Sequence, residues 1–79
     1  MTPVVLRKGQ FEVVIYTKDH DPPHVHVKSA GKEARITLKP VEVLDNWGFR
    51  PSEIRAILEL IQAHQHGLLR KWNEFHSGS

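Results

Sequence analysis

Directly after Pro22-Pro23 the chain reads His24-Val25-His26-Val27-Lys28, and this strict alternation constrains the fold more than any other feature. Successive side chains of a strand point to opposite faces, so Val25 and Val27 share one face while His24, His26 and Lys28 share the other. Segment 33–38 alternates in step. Ala34, Ile36 and Leu38 can join the valines, which places Glu33, Arg35 and Thr37 beside the histidines. Ser29-Ala30-Gly31-Lys32 supplies the turn between them. Upstream, 4–7 and 11–16 are β-branched or aromatic runs joined by Lys8-Gly9-Gln10, a connection of hairpin length containing glycine. Segment 17–23 reads as a loop whose two prolines remove two backbone donors and hold φ near about −65°, aiming the strand that follows. Segment 40–49 suits either a further strand or a short helical turn.

The remainder has helical periodicity. Pro51 suits a first helical position, and Glu53 suits the positive end of the helix dipole. At about 100° per residue, Ile54, Ile57, Leu58, Ile61, Leu68, Leu69, Trp72 and Phe75 fall within about 60° of one line, whereas Arg55, Glu59, Gln62, His66 and Arg70 fall outside it. The spacing predicts one amphipathic helix over roughly 52–75. Gly67 is its weak point, costing about 1 kcal/mol relative to alanine and suited to a bend. The expected fold is therefore α+β: an antiparallel β-meander of three to five strands packed against one long C-terminal α-helix. With 79 residues the chain is read as a single domain, 1–76, with 77–79 as a flexible tail. A core this small must use nearly every large apolar residue and leaves little room for a deep pocket. Phe49, Trp72 and Phe75 are assigned to core and rim. Trp47 is the aromatic allowed outside, where with Leu44 and Phe49 it would form a patch for a partner chain.

The chain has no cysteine, which excludes disulfides, thiol catalysis and thiolate metal sites. Residues 1–40 carry seven basic and four acidic side chains, and 41–79 carry four and five. This is a basic half joined to a slightly acidic one, without the strong excess of a nucleic-acid coat. No apolar run approaches the ~18 residues of a membrane span, and the start lacks a signal-like apolar core, so the expected location is cytoplasmic with no membrane partner.

The segment Lys18-Asp19-His20-Asp21-Pro22-Pro23-His24-Val25-His26-Val27, together with Val5-Leu6-Arg7, the stretch 34–43, Gly48-Phe49 and Trp72-Asn73-Glu74-Phe75, resembles a widespread bacterial family of small proteins known as domain of unknown function four-one-six-zero. The resemblance spans essentially the whole chain, and its specific core is Pro22, Pro23, His24 and His26. Family members often carry Asn or Gly where this chain has His20 or Asp21. The resemblance implies no established biochemical activity. It implies membership of toxin-antitoxin-like gene pairs, with a second small protein encoded nearby as partner.

Three chemistries fit the histidines. Side chains at i and i+2 of a strand share a face, so His24 and His26, with His20, Asp19 or Asp21 swinging in from the loop, suit zinc or nickel. Alternatively His24 and His26 act as acid and base of a metal-independent ribonuclease, with Arg35, Lys28 or Lys18 stabilising phosphate charge. In the third reading an imidazole donates to a carbonyl of the Pro-Pro loop, fixes its turn and leaves a polar sheet face for a partner. The leading expectation is this last, a binding component without a resident cofactor, using the His24 and His26 face with Lys18, His20, Lys28, Tyr16 and Trp47 as binding residues. Tyr16 is suited to stacking a base. A second small protein is the expected partner, with RNA or DNA, or a homodimer, as alternatives. His64, His66 and His76 read as ordinary helix-surface residues.

Overall fold

The turns and the apolar alternation together fold the chain into a five-stranded antiparallel meander in the computed structural model, which describes residues 4–76. Strands β1 (Val4–Lys8), β2 (Phe11–Val14), β3 (His24–Ser29), β4 (Lys32–Leu38) and β5 (Val41–Trp47) pair in sequence order. Two-residue connections set the register. Ser29 pairs with Lys32 across Ala30 and Gly31, both at positive φ, as a tight hairpin of type I′ requires. The β3–β4 register places Val25 opposite Ile36 and Val27 opposite Ala34, all inaccessible to solvent, with His24 opposite Thr37 and His26 opposite Arg35 on the other face. That is the pairing expected from the alternation. Segment 40–49 resolves as β5, and its ambiguity has a structural cause. The β4–β5 register slips between Arg35 and Ile36, leaving Leu44 as an extra residue that breaks the two-residue period. β2 ends at Val14, two residues short of the expected strand, although Ile15 remains fully buried. The peptide bonds before Pro22 and Pro40 are cis.

The expected single helix is corrected to two, α1 (Pro51–Ala63) and α2 (Gln65–His76). The break lies at His64 (φ −115°, ψ 17°), three residues before Gly67. There the backbone N–H of His64 bonds the Ile61 carbonyl at 3.1 Å, and the Gln65 side-chain amide donates to the Leu38 carbonyl at 2.7 Å. The second bond fastens the start of α2 to the end of a core strand. A straight helix of that span would run about 36 Å, against about 23 Å for a seven-residue strand. Redirecting the chain at His64 keeps Leu68 and Trp72 in the same apolar cluster as Ile57 and Ile61. That cluster also contains Val13, Ile15, Val25, Val27, Ala34, Ile36, Leu38 and Phe49. The tail assigned to 77–79 lies outside the described residues.

The turn from sheet to helix is closely specified. The Asn46 side chain both donates to the Phe49 carbonyl and accepts from its N–H, each at 3.0 Å. Glu53 accepts the Arg50 backbone N–H at 2.9 Å, the carboxylate half of a capping box, and receives Lys32 Nζ at 2.8 Å. The Arg50 N–H, then Lys32, hold the Glu53 carboxyl below its ordinary range. Gly48 sits at φ +103°, where a Cβ would lie 2.9 Å from Lys32 Cγ.

Two outcomes follow for unfolding experiments. Gly67→Ala, in open helix surface, stabilises by about 0.5–1 kcal/mol, whereas Gly48→Ala destabilises by about 1–3 kcal/mol; urea midpoints shifting in the same direction contradict this. Because the folded carboxyl of Glu53 titrates below its unfolded value, its contribution is present above the ordinary carboxylate range and is lost as pH falls through the folded pKa. Thermal scans of Glu53→Gln should thus show a lower Tm than wild type at neutral pH, with the difference shrinking towards acid.

Candidate functional site

The loop between β2 and β3 is built against the histidine face. Asp19 closes a turn by donating its N–H to the Tyr16 carbonyl at 3.2 Å, and the Pro23 carbonyl accepts the Leu38 N–H at 3.0 Å. The prolines leave Pro22 with a carbonyl and no donor, and His24 Nδ1–H donates to that carbonyl at 2.9 Å. This is the loop-fixing imidazole expected from sequence. It also assigns the tautomer: with Nδ1 protonated, the neutral ring carries its lone pair on Nε2.

His24 and His26 project from the same face with ring centroids 5.3 Å apart, and both Nε2 atoms turn towards one oxygen. Asp19 Oδ2 lies 2.9 Å from His26 Nε2 and 3.3 Å from His24 Nε2. Asp19, His24 and His26 thus offer three ligand atoms all within 4.8 Å of one another. Nδ1–H of His26 donates to Glu33 Oε2 at 2.9 Å. His24 Nε2 is buried and has no hydrogen-bond partner.

The face carrying these rings is not open to solvent at the histidines. His24 and His26 are only 5% and 8% exposed. Trp72 of α2 lies against His24, with centroids 5.3 Å apart, and is itself stacked on His76 at 3.8 Å. Tyr16 meets His26 edge-on at 4.6 Å, and its hydroxyl accepts from Lys28 Nζ. That bond, working against burial, raises the Lys28 pKa above its ordinary value. Arg35 is paired with Asp45, and its guanidinium lies 5.7 Å from the Trp47 ring centre.

The residues proposed from sequence therefore separate into three groups. Asp19, His24 and His26 come together. Lys28, Tyr16 and Arg35 lie on the same face, each engaged by an internal partner. Lys18, His20 and Asp21 are exposed on the loop, and His20 stands outside the ligand cluster. Trp47 is 53% exposed at the far strand and Leu44 45%, whereas Phe49 is buried and leaves the patch expected of the three. Sequence reasoning placed Glu33 on the correct face without its bond to His26, and it missed Trp72 as the cover of His24. The first was within reach, since Glu33 sits diagonally from His26 once the hairpin register is known. The second depends on the break at His64.

A family model described as Domain of unknown function (DUF4160) matches residues 11–73. No curated protein and no solved structure matches the chain.

Proposed function

We propose that this chain, which belongs to the DUF4160 family, is the binding component of a toxin-antitoxin-like protein pair and receives an extended segment of its partner along the free edge of β5. The observation that carries this reading is where apolar surface is left uncovered. Val43, Leu44 and Trp47, at 40%, 45% and 53% exposure, are the exposed large hydrophobic residues of the described chain, and all three belong to β5. β5 pairs with β4 on one side and with no strand of the described chain on the other. Edge strands that must stay unpaired are usually blunted with lysine, proline or a bulge. β5 contains neither lysine nor proline, and besides the bulge at Leu44 only Glu42 and Asp45 bring charge to it. Arg35, paired with Asp45, lies 5.7 Å from the Trp47 ring centre, a contact that reduces the side-chain freedom lost on docking.

The partner fitting this edge is a second small protein presenting an extended segment in which apolar side chains alternate with basic ones, because β5 exposes Glu42 among its apolar residues. The ribonuclease alternative has weaker support. Its acid–base pair is buried, with both Nε2 atoms aimed at Asp19, and its anion-binding Arg35 is engaged by Asp45. No helix among the described residues is long and apolar enough to cross a membrane, and this reading places the pair in the cytoplasm.

The test is calorimetric titration of the purified chain with the purified product of the adjacent gene. Saturable binding is expected, with Trp47→Ala and Leu44→Lys each weakening it at least about tenfold, as for central aromatic anchors. Unchanged affinity in both variants overturns the docking edge. So does concentration-dependent self-association abolished by Leu44→Lys, which would make a second copy the occupant. RNA cleaved by wild type and spared by His24→Ala and His26→Ala would replace the binding role with the nuclease.

A further inference from the structure

The partner-binding edge makes no use of the buried cluster beneath the loop, whose hydrogen-bond inventory is unbalanced. His24 Nδ1–H is committed to the Pro22 carbonyl at 2.9 Å and His26 Nδ1–H to Glu33 at 2.9 Å. The two Nε2 atoms and Asp19 Oδ2 then face one another, at 3.3 and 2.9 Å across the carboxylate. Neutral imidazoles with these Nδ1–H bonds direct both Nε2 lone pairs at a carboxylate oxygen; only a second proton on His26 would make its 2.9 Å contact with Asp19 a hydrogen bond, and His24 Nε2 is left without a partner. A buried acceptor left in that condition is costly, and His24 Nε2 is one: buried, and without a hydrogen-bond partner. A cation at the convergence point satisfies all three at once.

We infer that Asp19 Oδ2, His24 Nε2 and His26 Nε2 form a binding site for a divalent transition metal of the zinc or nickel class. Two imidazoles and one carboxylate are the donor set of borderline cations. Magnesium and calcium prefer sites built from oxygens. The spacing agrees: ligand bonds of about 2.0–2.1 Å in a tetrahedral site put neighbouring donors about 3.3–3.5 Å apart. His24 to Asp19 already has that separation, and His26 to Asp19 needs to open by about half an ångström to meet it. The outer contacts match as well. Metal-bound histidines characteristically donate their other N–H to a carbonyl or carboxylate, which fixes ring and tautomer. His24 uses Pro22 in this way and His26 uses Glu33. The rings cannot easily swing away, since Trp72 lies against one and Tyr16 against the other. Of the loop residues offered by the sequence as further ligands, His20, Asp19 and Asp21, this assignment takes Asp19 and leaves out the exposed His20.

Bound metal would tie the loop after β2 to β3 beneath α2, so affinity is read in stability as well as stoichiometry. The experiment uses the untagged full chain, stripped with chelator, and titrates it with zinc chloride and separately with nickel chloride. One equivalent is expected to bind, with Tm rising by about 10–20 °C at a hundredfold excess over Kd. Asp19→Asn and His26→Gln abolish binding. Glu33→Gln, which touches no metal, weakens it about 10–100-fold. His20→Ala with His66→Ala leaves it intact. Nickel broadens the Trp72 indole resonance, because that ring lies against His24. Circular dichroism and Tm of each variant without metal separate loss of the site from loss of the fold, and Asp19→Asn, on the loop, keeps the test available should a histidine variant unfold. Absence of saturable binding by wild type overturns the site. Binding that survives Asp19→Asn and His26→Gln, or that disappears with His20 and His66, overturns it equally and assigns the metal to surface histidines. Neither result bears on the β5 edge, whose assay contains no metal.

Discussion

The structure depends on a central strand that is buried on both faces while carrying valines on one and histidines on the other. Val25 and Val27 have the usual reason for burial, removal of apolar surface beneath two helices. His24 and His26 have none of their own, since an imidazole taken out of water needs each nitrogen satisfied. That requirement explains the surroundings of β3. Pro22 supplies a carbonyl and Glu33 a carboxylate to the two Nδ1–H groups, while Asp19 is brought against both Nε2 atoms by a turn closed on Tyr16, which still leaves His24 Nε2 without a hydrogen bond. The loop is therefore part of the core's polar accounting and not a surface connection.

The same logic separates what is inward from what is available. Arg35, Lys28 and Tyr16 belong to the polar sheet face and would serve an anion if unengaged, yet Asp45 holds the first and the other two hold one another. Internal pairing of this kind gives each side chain a defined position at modest net energy. What the fold leaves uncovered lies at its edge, where β5 completes the meander and nothing further in the described chain pairs with it. A partner-binding role at that edge and a metal site beneath the loop are physically compatible, because β4 lies between the histidine ligands on β3 and the edge strand β5.

Membership of the DUF4160 family and the α+β meander agree with what the residue patterns indicate, and the two kinds of information carry different weight. The family match carries a description of unknown function. The chemistry has to be argued from the site, and there the position of one aspartate and the orientation of two rings decide more than the motif does. The spacing His24-Val25-His26 is compatible with metal binding, with proton transfer or with a purely structural role. Converging Nε2 atoms, anchored Nδ1 atoms and a buried unpartnered nitrogen distinguish among them.

Strand alternation, hairpin glycines, the proline at the start of α1 and the amphipathic stripe are all local, and each was legible in residue order because backbone geometry maps it directly to a face or a turn. The shared face of His24 and His26, and the placement of Glu33 beside them, were legible for the same reason. Three features were not. β5 was obscured because the bulge at Leu44 breaks its period. The helix break was hidden because His64 is no breaker by propensity, and Gln65 reaches Leu38 only after the sheet exists. The burial of the histidines followed from α2 lying where Trp72 covers His24. Each depends on contacts between residues far apart in the chain, and such contacts exist only once packing has selected which of several locally acceptable conformations shields the most apolar surface without leaving a polar group alone.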